Sequence, residues 1–169
     1  DEAKTQLRLV PNNDFIVEKR SRRPPQNRLN TMISFGNSIL YTHILSEIYK
    51  THLDPRIGYL HATNFRRFSL NLDISEIFKP TIIDRLIFTL ISKSIITKKD
   101  FSEENGGIFL KERGKRKFVE QLDDRLQTTI QHRELGRKVS YSRIIRMELY
   151  KMEKHILGEK EYSPFIARW

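Results

Sequence analysis

Apolar residues in this chain recur at helical intervals through most of its length, and that spacing limits the folds open to it. At about 100° per residue, Ile33, Leu40, Ile44 and Ile48 fall on one face. The spacing predicts a helix from Asn30 to about Leu53, with a turn at Asp54-Pro55 and Gly58. Residues 61–72 read as a polar loop, and the alternation of Phe68, Leu70 and Leu72 suits a short extended segment within it. A second helix is expected from near Asp73 to about Ser94, through Ile82, Ile83, Leu86, Ile87, Leu90 and Ile91. Pro80 is expected to kink it or divide it. Asn105-Gly106-Gly107 is a turn signal, flanked by Ile108, Phe109 and Leu110. A charged helix over roughly Glu112 to Gln131 and a last helix over about Ser140 to Leu157 follow, with Gly158 as its stop. The tail Tyr162-Ser163-Pro164-Phe165 reads as irregular. The expected class is mainly α, a multi-helical domain over residues 29–169 with at most a short hairpin near residues 105–110. Residues 1–28 read as a basic linker or arm, because the run Glu18 to Arg23 ends in Pro24-Pro25.

Charge narrows the partners. The chain carries 31 Lys and Arg against 21 Asp and Glu, a formal net charge of +10. Such a surplus favours a polyanion, because each neutralised phosphate releases counterions. Charge does not by itself separate DNA from RNA or from an anionic membrane surface. With no cysteine, disulfides, thiolate metal sites and cysteine nucleophiles are excluded, which fits a reducing cytoplasm. No apolar run is long enough to span a bilayer, since Asp84, Arg85 and Lys93 interrupt the most apolar stretch. A nucleotide-binding glycine loop and a Gly-x-Ser-x-Gly element are both absent from the sequence.

A few residues stand out as candidates for chemistry. Glu47 follows Leu40 by almost two helical turns, so it lies within about 20° of it on the wheel. A carboxylate in an apolar stripe must be paired, protonated or metal-bound. Its plainer reading is an edge-of-face glutamate that snorkels or meets an arginine. His61 opens the polar loop and is a ligand type suited to manganese or zinc, although a lone loop histidine is more often a surface residue. His43, His52, His132 and His155 show no metal-ligand spacing. Asp73-Ile74-Ser75-Glu76 fits a helix start in which Asp73 caps and Glu76 reaches back. Alternatively one or both acids face a hard cation, for which carboxylate oxygens are suited.

The order of these pieces is more specific than any one of them. Arg22-Arg23-Pro24-Pro25 precedes the segment Asn30 to Tyr41, then Ser46-Glu47-Ile48-Tyr49, then Leu53 to His61, then Arg67 to Pro80. This succession resembles the C-terminal, catalytic helical domain of the CRISPR-associated endonuclease/integrase family that captures new spacers. The segment Gly106 to Leu110 and the tail Tyr162 to Trp169 resemble that family too, so the likeness spans about residues 20–169. The resemblance implies a metal site built from Glu47, His61 and Glu76, with Mg2+ or Mn2+ as cofactor. Glu76 stands where the family often has aspartate, and Asp73 matches a nearby acidic position. The implied reaction is phosphodiester transesterification, in which a DNA 3′-hydroxyl attacks a phosphodiester of the CRISPR repeat. His61 would then be a metal ligand rather than a base, and Arg66, Arg67 and the run Lys19 to Arg23 would contact phosphates. The implied partners are double-stranded DNA (protospacer and repeat), a second copy in the full-length protein and a small ferredoxin-like adaptation protein, with no membrane. The family's strand-rich N-terminal domain is expected to be absent from these residues. The chain is therefore expected to keep at most residual DNA binding and unspecific nuclease activity, and to lose integration. A noncatalytic helical DNA-binding fragment is the alternative.

Overall fold

The computed structural model describes Phe15 and residues 24–58, 68–132 and 135–166. The described elements are mainly helical, as expected: α1 (Arg28–Ile48), α2 (Ser69–Phe78), a π-helical turn (Lys79–Asp84), α3 (Arg85–Ser92), a 3-10 turn (Lys98–Asp100), β1 (Phe101–Glu104), β2 (Gly107–Leu110), α4 (Glu112–Gln127), β3 (Thr129–His132), β4 (Arg137–Ser140) and α5 (Tyr141–Ile156). Among the described residues no helix is long and apolar enough to cross a membrane. The chain forms two compact units, Asp1–Ser38 with Ile82–Asp124 and Ile39–Thr81 with Arg125–Trp169.

The first unit holds the start of α1, α3, the first hairpin and most of α4. Asn27 caps α1, its Oδ1 accepting from the Asn30 backbone N–H at 2.8 Å. Met32 is fully buried where the wheel reading had favoured Ile33, which is only half-buried. The α3 face is Leu86, Ile87, Leu90 and Ile91, all buried as the helical spacing requires. Gly36 lets α1 approach its neighbours closely, for a Cβ there would lie 2.8 Å from Phe118 Cζ. The Phe35 and Phe118 rings meet edge to face at 5.4 Å. Strands β1 and β2 pair antiparallel, Phe101 opposite Leu110 and Glu104 opposite Gly107. Their turn places Asn105 at φ 50° and Gly106 at φ 73°, the left-handed pair that a two-residue hairpin loop needs. The hairpin is tied back by Ile108 N–H to the Pro25 carbonyl at 2.8 Å and by Thr31 Oγ1 to the Ile108 carbonyl at 2.5 Å.

The second unit holds the end of α1, α2, the second hairpin and α5. Its core includes Leu40, Ile44, Ile48, Leu70, Ile74, Phe78, Ile144, Ile145, Leu149 and Met152. Phe165 stacks on Phe78 at 5.7 Å. Ser140 caps α5, accepting from the Arg143 N–H at 3.4 Å, and Gly158, at φ +74°, follows its end.

Two expectations are corrected. Helix α2 starts at Ser69 rather than near Asp73, so Leu70 and Leu72 are helical and not extended. The reason is packing: Leu70, Ile74 and Phe78 recur every four residues and are all buried. The division expected at Pro80 is present: a π-helical turn over Lys79–Asp84 separates α2 from α3. Finally, α4 stops at Gln127 rather than Gln131, and a second hairpin follows, with Thr129 opposite Ser140 and His132 opposite Arg137. The β-branched run Thr128-Thr129-Ile130 and Gly136, at φ +62°, favour it.

Asp100 anchors the junction of the 3-10 turn, β1 and α4. It is buried and accepts from the Thr97 N–H at 2.9 Å and from Lys117 Nζ at 3.0 Å. Burial acts to raise its pKa, but the Thr97 N–H and the Lys117 ammonium outweigh burial and hold it below the usual carboxylate range. A carboxylate whose pKa is depressed by folding contributes stability that is complete above its ordinary pKa. That contribution is lost as the pH falls through the lowered one. Asp100→Asn is therefore expected to lower stability by about 1–3 kcal/mol near neutral pH. Thermal melts between about pH 2 and 7 should show a shallower acid limb for the variant than for the wild type.

Candidate metal centre

Glu47 lies in the last turn of α1 and is only 2 % exposed. The apolar face that buries Leu40, Ile44 and Ile48 carries it inward with them. Its Oε1 accepts from Lys50 Nζ at 2.6 Å, one helical turn on. Its Oε2 accepts from Arg146 Nε at 2.6 Å, reaching over from α5. Burial acts to raise the Glu47 pKa, but the hydrogen bonds and charges of Arg146 and Lys50 outweigh it and hold the carboxyl below its ordinary value. Glu47 therefore stays ionised with two cations against it, the arginine being the partner that the plainer reading of the wheel allowed.

Glu76 lies on α2 and is exposed, with its side chain paired to Lys79. Lys79 Nζ in turn sits 5.0 Å over the Tyr41 ring of α1. Burial acts to lower the Lys79 pKa, yet Glu76 and Tyr41 raise it beyond its ordinary value. Asn71 Nδ2 donates to the Tyr41 carbonyl at 3.4 Å, so α2 lies against α1 at that residue. Tyr41 is six residues before Glu47, about 9 Å along the helix. The two acids thus stand on adjacent helices.

Asp73 is buried inside α2 and does not cap it. Phe68 occupies the cap position with no side-chain bond, so the capping reading of Asp73 and Glu76 is set aside. His61, Arg66, Arg67 and the run Lys19 to Arg23 lie outside the described residues. Among the described residues, no three His, Asp or Glu side chains gather as a metal site would require. His52 meets Glu153 at 2.7 Å, His43 meets Ser142 at 3.4 Å, and His155 accepts from the Tyr162 N–H at 3.3 Å.

Sequence reasoning missed two paired residues, Arg146 beside Glu47 and Glu148 under the tail. Arg146 is 99 residues from Glu47, and only the rule that a buried acid needs a cation pointed to some such partner. Glu148 is 1 % exposed on the buried face of α5 and accepts from Tyr162 Oη at 2.6 Å and the Phe165 N–H at 3.0 Å. Its position four residues after Ile144 was the available signal.

The family model for CRISPR associated protein Cas1 matches residues 5–124. A CRISPR-associated endonuclease Cas1 of Thermodesulfovibrio yellowstonii is 56% identical over 161 residues, which cover 95% of this chain and 49% of that protein. The solved structure of a Cas1 protein from Thermotoga maritima superposes with a TM-score of 0.86 at 52% identity, over 94% of this chain and 49% of that one. A casposase bound to its integration product superposes with a TM-score of 0.78 at 26% identity, over 90% of this chain and 44% of that one. The chain spans about half the length of the curated relatives it matches.

The two acids differ in what they do for the fold. Glu47→Gln is expected to destabilise the chain by about 1–3 kcal/mol, because it leaves a buried amide facing two cationic donors. Glu76→Gln removes an exposed pair and should change stability by no more than about 0.5 kcal/mol. Denaturant unfolding of both variants checks the contrast.

Proposed function

This chain belongs to the CRISPR-associated protein Cas1 family, and on that footing we propose that it is the metal-dependent endonuclease/integrase part of a Cas1 protein, which inserts foreign DNA spacers into a CRISPR array. The observation that supports this best is Glu47, an ionised carboxylate in an apolar setting against which cations already gather. Two carboxylates and an imidazole, Glu47, Glu76 and His61, make a donor set that suits Mg2+ or Mn2+, and the charge state of Glu47 fits such an ion. When bound, the ion supplies electrophilic stabilisation of the phosphoryl oxygen and of the attacking and leaving oxygens.

The chain's own residues then have defined tasks. Glu47 contributes negative charge from a rigid, buried position at the end of α1. Glu76 contributes it from the solvent side of α2, once Lys79 releases it. His61 acts as a ligand and takes no proton. Arg66, Arg67 and the basic arm ending at Arg23 hold phosphates and position the duplex without reading its sequence. The 3′-hydroxyl of the incoming DNA forms a new phosphodiester as the repeat phosphodiester breaks, so one ester replaces another. In the full-length protein a second copy and a small ferredoxin-like adaptation protein would complete the assembly on DNA.

One observation favours a second reading. Glu47 and Glu76 each have a lysine or arginine partner, which accounts for both acids without a metal. The chain would then be a noncatalytic helical DNA-binding fragment. Calorimetric titration with Mn2+ separates the two. The metal reading expects about one site per chain, removed by His61→Ala. Absence of binding by a folded chain, or binding indifferent to His61→Ala, would favour the DNA-binding fragment. In a strand-transfer assay the isolated chain is expected to integrate poorly and to gain integration when supplied within a full-length protein. Full integration by the isolated chain would overturn that expectation.

A further inference from the structure

Among the described residues, Glu47, Asp100 and Glu148 are deeply buried with cations beside them, but they are not held alike. Asp100 accepts from the Thr97 backbone N–H as well as from Lys117. Glu148 accepts from the Phe165 N–H and the Tyr162 hydroxyl, with Lys151 2.7 Å away. The backbone N–H and hydroxyl donors among these are fixed and neutral, as suits a permanent anchor. Glu47 has no backbone N–H or hydroxyl donor among the described residues, and both its oxygens rest on cationic side chains. Both cations are reached by solvent, Lys50 with 52% and Arg146 with 41% of the side chain exposed. A buried carboxylate held only by solvent-reachable cations can exchange them for another cation at little cost to the fold.

The two partners differ in what they can do once released. Lys50 is a point charge one turn away on the same helix. Arg146 comes from α5 and engages Glu47 through Nε, so its terminal amino groups make no hydrogen bond to the described residues. Arg143, exposed, lies one turn before it on α5, and Tyr150, 44% exposed, one turn after. A guanidinium with unused donors, between a second arginine and an exposed aromatic ring, is suited to a phosphodiester backbone.

We infer that Arg146 is a displaceable counter-cation. It neutralises Glu47 in the metal-free chain and passes to a DNA phosphate when a divalent cation takes the carboxylate. The inference rests on the reading of Glu47 as a metal ligand. Arg146 is a positioning residue in this account, coupling the arrival of metal to the grip on DNA.

The sign of one measurement separates this role from simple support. If Arg146 competes with metal, Arg146→Gln binds Mn2+ about threefold to fivefold more tightly than wild type, since an ion pair with a partly exposed cation is no longer broken. If Arg146 merely holds Glu47 in place, the variant binds Mn2+ equally or more weakly, and that result overturns the inference. Calorimetry with Mn2+ is to be run on the wild-type chain, Arg146→Gln, Arg146→Lys and Glu47→Gln, each checked by a cooperative melt. Binding to a short DNA duplex is to be measured with and without Mn2+. Mn2+ should strengthen DNA binding by wild type and do so less for Arg146→Gln. An equal gain in both overturns the phosphate contact. If Arg146→Gln does not melt cooperatively, Arg146→Lys decides: Mn2+ affinity within about twofold of wild type with a reduced DNA gain supports the inference, and an undiminished gain overturns it. Absence of Mn2+ binding by the wild type, or binding untouched by Glu47→Gln, overturns the metal reading and this inference with it. The failure of the inference alone leaves Glu47-dependent Mn2+ binding intact.

Discussion

A carboxylate withdrawn from water needs opposite charge or directed donors beside it, and much of this structure is arranged around that requirement. Desolvation works against Glu47 and Asp100, and in each case neighbouring donors overcome it. Lys50, Lys117 and Lys151 each stand beside a buried acid. The lysines that secure Asp100 between β1 and α4 and Glu148 beneath the tail balance acids already counted, so they take nothing from the net charge of +10.

How far the fold was legible follows from where its signals were local. The stripe on α1 could be read because Leu40, Ile44 and Ile48 are near in sequence and share one buried face. Asn105-Gly106 could be read because a left-handed pair of residues is a local demand. The start of α2 was misplaced because Asp73-Ile74-Ser75-Glu76 imitates a cap, while the actual determinant is burial of Leu70 a turn earlier. The second hairpin was hidden by its polarity. Gln131, Arg137 and Lys138 are exposed, and only Val139 is fully buried, so the strands lack the apolar alternation that announces a half-buried ribbon.

The candidate site was legible by another route. No spacing rule joins Glu47 to Glu76, and the wheel alone favoured an ordinary explanation for Glu47. Order along the chain and family likeness brought the residues together, and the structure sets Glu47 and Glu76 on helices that touch at Tyr41. Arg146 could not be read ahead of the fold, because its role depends on α5 lying beside the end of α1. Partners that meet only through tertiary packing leave no trace in periodicity.

The fastening of the tail to α5 distinguishes chain path from chain spelling. Glu148 grips the Phe165 N–H, and Lys151 Nζ donates to the Ser163 carbonyl at 2.6 Å. These are main-chain atoms, which nearly every amino acid supplies. Only the Tyr162 hydroxyl and the Phe165 ring add demands of their own. Ser163 is thus held through its carbonyl, by where the backbone runs rather than by its side chain. Evolution is free to respell that position while the end of the polypeptide keeps its route.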